Sequence, residues 1–143
     1  MNARRLGLTH LATHTDAAIL LMRASVGAFL MWGVWDNISS PEHMAKFEAF
    51  LRQFKFPFPE FMAPFDVWLQ FAIGAAFVTG LFTRWAGLLC ALNFLIAIAM
   101  VDRFAGLRAS FPAWSLVVIG LVLATYGAGR FSLDALLFRS GRR

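Results

Sequence analysis

Four side chains sit where the surrounding sequence is almost continuously apolar: Arg23, Gln70, Cys90 and Asn93. A charge or an amide in such surroundings costs free energy unless it is paired. These residues therefore mark either helix-to-helix hydrogen bonds or a ligand site. Arg23 needs a carboxylate, a backbone carbonyl or a lipid phosphate as partner. Gln70 and Asn93 are read first as interhelical hydrogen-bonding groups. A sharper reading groups Gln70 with Trp32, Trp35 and Trp68 as a pocket. A quinone needs a planar apolar slot and one or two hydrogen-bond donors, which an amide and an indole can supply, and a bound lipid would fit the same slot. The plainer reading makes Trp32, Trp35, Trp68 and Trp114 an aromatic belt at one membrane face, with Trp85 and Tyr126 at the other.

Other chemistry is poorly served. His10, His14 and His43 all lie outside the apolar runs, so histidine ligation of a haem between helices is not expected. His10 and His14 stand four apart but lack a third ligand, and no metal site is expected. Cys90 is the single cysteine, which excludes an internal disulfide and a CxxC pair. It reads as a buried, unreactive thiol. Asp36 and Asp102 close two apolar runs, where a carboxylate usually meets water rather than a cation or a proton path. The chain has no nucleophile elbow, phosphate-binding loop, Rossmann glycine pattern or zinc box.

The elements that hold these residues are membrane helices. Hydrophobic residues make up 59% of the 143 and charged residues 15%, against roughly 45–50% and about 25% in soluble domains. A single domain of this length cannot bury that excess, and a mean hydropathy of +0.66 assigns most of it to lipid. The expected fold is all-α: a transmembrane four-helix bundle forming one membrane domain over 1–143. Its spans are about 17–35, 65–82, 85–101 and 112–128. The first is read as an uncleaved helix, because no small-residue cleavage site follows it. Only Thr83-Arg84 separates the second and third, so those are antiparallel neighbours.

The outer loop, 37–64, should hold an amphipathic interfacial helix. Ser39, Pro41 and Glu42 suggest its start, with a capping box. Met44, Phe47, Phe50, Leu51 and Phe54 share one face, opposite Lys46, Glu48 and Arg52. Pro57, Pro59 and Pro64 should end it. It is either a plain cover for the helix ends or a lid over a ligand site. Ser132 can start a short C-terminal interfacial helix over Phe131 to Phe138. Small residues four apart, such as Gly87 with Ala91 and Gly120 with Ala124, provide packing ridges.

The side with both termini and the 83–84 turn carries Arg4, Arg5, Arg84, Arg130, Arg139, Arg142 and Arg143 against Asp16 and Asp134. The other side carries Lys46, Arg52, Lys55, Arg103 and Arg108 and more acids. This modest bias places both termini in the cytoplasm of a bacterial-type inner membrane. The pI near 10.7 reflects that distribution, not a nucleic-acid patch. Asp134 is expected to pair with Arg130 or Arg23, and Arg84 to anchor its turn at the headgroups.

Two polar junctions carry a family resemblance. Gly80-Leu81-Phe82-Thr83-Arg84 matches a G-L-x-T-R turn, and Gly127 to Leu137 (GAGRFSLDALL) closes the chain in a similar way. With the LMRASVGAFLMWGVW run of the first helix, the chain from about Leu20 to Leu137 resembles the DoxX family of small four-span membrane proteins. The family commonly has glutamate at the position of Gln70 and lysine at that of Asp36, so any work done by those charges is altered here. The resemblance implies association with membrane redox complexes, including a quinone-reducing thiosulfate dehydrogenase and a thiol-oxidant-handling assembly. The implied role is an accessory integral subunit, near quinone, partnered by other membrane subunits and non-catalytic alone. The alternatives are a quinone-linked oxidoreductase subunit with its own outer-leaflet pocket, or a small transporter-like bundle.

Overall fold

A computed structural model describes residues 9–104 and 106–138. Arg4, Arg5, Arg139, Arg142, Arg143 and the His10 side chain lie outside what is described. Among the described residues every regular element is helical. A 3-10 turn, Thr9–His14, leads into α1, Thr15–Ser39, followed by α2, Pro41–Gln53, and α3, Pro59–Thr79. Then come α4, Thr83–Met100, a 3-10 turn at Asp102–Phe104, α5, Leu107–Tyr126, and α6, Leu133–Phe138. Four helices are long and apolar enough to cross a membrane: α1, α3, α4 and α5. At 1.5 Å per residue α1 runs about 37 Å, more than the roughly 30 Å of hydrocarbon.

Several boundaries differ from expectation, each for a local reason. Pro64 lies inside α3 instead of before it, and Pro112, expected to open the fourth span, lies inside α5. Both fall in the first two turns, where a missing amide removes a single helical bond from the loosest part of the helix. Pro41 and Pro59 occupy the first-turn positions that proline favours. The capping box at Ser39 does not form: α1 runs through Ser39, and Ser40 precedes α2 with no side-chain cap bond. Pro41 holds Ser40 extended at φ −134°, and that alone makes the corner.

The turn between α3 and α4 is Gly80-Leu81-Phe82, and Thr83 and Arg84 already belong to α4. Gly80 ends α3 at φ +70°, a conformation open to glycine, and the Leu81 amide reaches back to the Ala76 carbonyl at 3.2 Å. That closes α3 at Thr79, three residues earlier than its apolar run to 82 suggests.

The bundle is two tight antiparallel pairs, α1 with α3 and α4 with α5. Each crosses glycine on glycine. A methyl group on Gly27 would lie 2.5 Å from the Gly74 carbonyl oxygen, and one on Gly87 would lie 2.5 Å from that of Gly120. Without glycine at these points the backbones could not touch, and in lipid such close contact supplies the packing that hydrophobic exclusion cannot. The Gly87–Gly120 crossing lies on the expected small-residue ridges, and the Gly27–Gly74 crossing is its counterpart in the other pair. Ile19, Leu30, Ile73, Phe77, Cys90 and Leu123 form the shared core.

Candidate functional site

α3 and α4 are sequence neighbours, yet they touch far less than either touches its glycine-matched partner. No glycine crossing draws them together. Toward the end away from the termini the space between them becomes a cavity of about 360 Å³. That is within the ordinary range for small-ligand sites. α2 covers it. Its apolar face supplies Phe47, Phe50 and Leu51, and Lys46, Glu48 and Arg52 stay out of the cavity walls, as the sequence pattern predicts. Arg52 bridges Glu48 at 2.8 Å and Glu60 at 2.9 Å, tying α2 to the start of α3. The linker between them, which adds Phe56 to the wall, turns sharply through two left-handed non-glycine residues, Lys55 at φ +58° and Phe58 at φ +48°. The amphipathic helix is thus a lid over a cavity, not only an interfacial cover.

The walls are aromatic and aliphatic, with Phe65 from α3 and Phe94 from α4. Leu89, Leu92 and Ile96 line the cavity while remaining about half exposed, so it opens sideways, out of the bundle. The polar lining is Asp66, Gln70 and Asn93. Asp66 and Gln70 stand four apart on one face of α3, and Gln70 Nε2 donates to Asp66 Oδ2 at 2.7 Å. Asn93 faces the same carboxylate from α4. All three are half-buried.

The expected tryptophan pocket does not assemble. Gln70 lines the cavity, but Trp32 is 84% exposed and Trp35 and Trp68 are each 55% exposed, and none of the three borders it. Trp35 and Trp68 instead flank Phe71, with ring centroids 6.4 Å and 6.0 Å away. Helical rotation explains this. Trp68 lies two residues from both Asp66 and Gln70, so it points to another side of α3. Gln70 finds its partner on its own helix, whereas Asn93 does look across to another. Asp66 is the site residue that the sequence pattern above leaves out, although its i, i+4 spacing to Gln70 on an apolar helix is a legible signal.

The remaining polar residues build the opposite end. Arg23 is 1% exposed, and its Nη1 donates to the Phe77 and Val78 carbonyls at 2.7 and 3.0 Å. Its Nη2 donates to the Phe131 carbonyl. One guanidinium thus caps the end of α3 and holds the C-terminal segment. Asp134 does not make the expected salt bridge with Arg23 or Arg130, although its carboxylate lies near enough to attract the Arg23 guanidinium electrostatically. Its oxygens accept the Phe82 and Thr83 amides at 2.8 and 3.0 Å. Phe82 precedes α4 and has no side-chain acceptor of its own, so the first amides of α4 would lack partners, and a carboxylate at a helix start is favoured by the dipole. Arg130 goes to Asp16, which accepts its amide at 3.0 Å and lies 3.9 Å from its Nε. Ser132 caps α6 as expected, accepting the Ala135 amide at 3.1 Å. Arg84 does more than anchor a turn: it donates to the Ala124 and Tyr126 carbonyls at 2.9 and 3.1 Å and so caps α5.

Among the described residues no three histidine, cysteine, aspartate or glutamate side chains come together as a metal site. Cys90 is fully buried, 3.7 Å from the Leu116 carbonyl. A family model described as DoxX matches residues 18–103, more than half of the chain. That stretch takes in nearly all of α1, the lid, α3 and α4, and therefore all of the cavity lining. No curated protein and no solved structure gives a significant match.

Proposed function

Because the chain belongs to the DoxX family, we propose that it is an integral membrane subunit of a larger redox assembly that holds a quinone-class molecule between α3 and α4. The observation that carries this reading is the lid-covered cavity, whose walls are aromatic and whose polar groups are confined to Asp66, Gln70 and Asn93. A ring with polar substituents and a long apolar tail matches such a space: the ring lies among phenylalanines, the substituents meet the three polar residues, and the tail leaves between Leu92 and Ile96 toward lipid. The chain offers a binding place, and other subunits supply the electron-transfer centres. It is accessory in that sense, non-catalytic alone. The lid faces outward from a bacterial-type inner membrane and both termini are cytoplasmic, in line with the arginine-rich terminal side.

Extraction from native membranes in mild detergent, followed by native mass spectrometry, tests both parts. Additional subunits and a quinone-class adduct are expected with the wild-type chain, and loss of the adduct alone with Asn93→Phe, which fills the cavity. A partner-free chain with full electron-transfer activity would overturn the accessory role. A chain that carries only phospholipid would overturn the ligand.

A further inference from the structure

The polar lining of the cavity is lopsided in its hydrogen-bonding capacity. Asp66 brings two carboxyl oxygens, and Gln70 and Asn93 bring one amide oxygen each. One amide hydrogen of Gln70 is already committed to Asp66. Asn93 faces that carboxylate too. The capacity left for a ligand is therefore mainly that of acceptors, and what such a lining lacks is a hydroxyl donor.

We propose that the cavity selects the hydroxyl-bearing, quinol form of its ligand over the carbonyl form, with Asp66 as the specificity-determining acceptor; this rests on the ligand reading above. A ring hydroxyl can donate to Asp66 and at the same time accept a remaining amide hydrogen from Gln70 or Asn93. The hydroxyl is then satisfied both as donor and as acceptor. A ring carbonyl in the same place can take that amide hydrogen but has none to give Asp66, so its lone pairs face the Asp66 oxygens, while the phenylalanine walls keep water from bridging the gap. An acceptor buried without a donor loses the hydrogen bonds it had in water. The surrounding apolar surface binds both forms alike, so it adds affinity without discrimination. Only the polar corner tells the two forms apart.

Anaerobic equilibrium binding of a decyl-tailed benzoquinol and the matching benzoquinone to the full chain in nanodiscs tests this. The quinol should bind roughly tenfold more tightly, the scale of one hydrogen bond to a charged group. Asp66→Asn replaces an acceptor oxygen with a donor, and should narrow the ratio to within about twofold. The wild-type ratio decides the matter even if that variant folds poorly. Equal binding of the two forms, or a preference that Asp66→Asn leaves intact, overturns the selectivity and spares the ligand reading. Binding of neither form overturns both.

Discussion

The two helix pairs share a plan and differ in how their ends are finished. In each, glycine meets glycine at the crossing, and an arginine three or four residues earlier reaches the last carbonyls of the partner helix. Arg23 does this for α3 and Arg84 for α5. Yet Arg23 is buried under the C-terminal segment, whereas Arg84 is exposed. At the far end the contrast is as sharp. α1 and α3 are joined through the lid and its strained linker, α4 and α5 through one short 3-10 turn. The lid-bearing pair is thus the one locked at its opposite end. A single device serves as a lock when desolvated and as a simple cap when wet.

The largest expected effect comes from breaking a crossing. Gly74→Leu sets a side chain against the Gly27 carbonyl and Met31, and backbone cannot rotate out of the way. The folded bundle should be lost, read as aggregation in fluorescence-detected size exclusion. Gly120→Leu should do the same to the other pair. Gly33→Leu is the control, since that glycine on α1 faces open space, and its elution profile should be unchanged. Aggregation of Gly33→Leu as well would mean that bulk anywhere on α1 is harmful and the crossings are not special.

The next effect separates the two arginines. Arg23→Leu strips donors from three carbonyls in a place that water does not reach, at a cost of about 3 kcal/mol or more. A matching fall in thermal or denaturant stability in detergent is expected. Arg23→Lys should recover only part of it, because a point ammonium cannot fork between α3 and Phe131. Full recovery by lysine would show that charge, not the fork, holds the segment.

Much of this was legible in the sequence. Four apolar runs marked the four spanning helices, and the 3.6-residue pattern of Met44 to Phe54 marked an amphipathic helix, of whose five apolar residues Phe47, Phe50 and Leu51 line the cavity. Ser132 as a cap and the Gly80 to Arg84 junction, which lies inside the matched stretch, were equally plain. What the sequence hid was pairing across distance. Nothing local says that Asp134 caps a helix beginning at Thr83, since capping rules look within a few residues. Nor does hydropathy show that α3 stands away from α4, because a cavity is created by the absence of a close-packing contact. The tryptophans misled for a physical reason: in a membrane, exposed aromatic rings are stable at the headgroups, so an aromatic cluster in sequence need not line anything.

Asp134 provides a middle-sized test of the lock. Asp134→Ala leaves the Phe82 and Thr83 amides without their acceptor and should cost about 1–2 kcal/mol, in the range of other lost N-caps. Asp134→Asn should cost little, because asparagine caps nearly as well as aspartate. An ion pair with Arg23 would behave differently: removal of the charge in Asp134→Asn would then hurt nearly as much as Asp134→Ala. Stabilities of the two variants side by side decide between cap and ion pair.

The smallest effect falls on Arg84, and it completes the comparison. Arg84→Ala removes donors from the final carbonyls of α5, the same chemical loss that Arg23→Leu inflicts on α3. The surroundings differ. Arg84 is exposed at the end of a spanning helix, where water and lipid headgroups can take over the carbonyls it leaves. The loss should therefore be about 1 kcal/mol or less, the net worth of an ordinary solvated hydrogen bond. Raising the salt concentration should change it little, because the acceptors are carbonyls and not charged groups. If Arg84→Ala instead destabilised the bundle as much as Arg23→Leu, burial could not be what divides the two arginines, and the α5 terminus would have to be as dry as the α3 terminus.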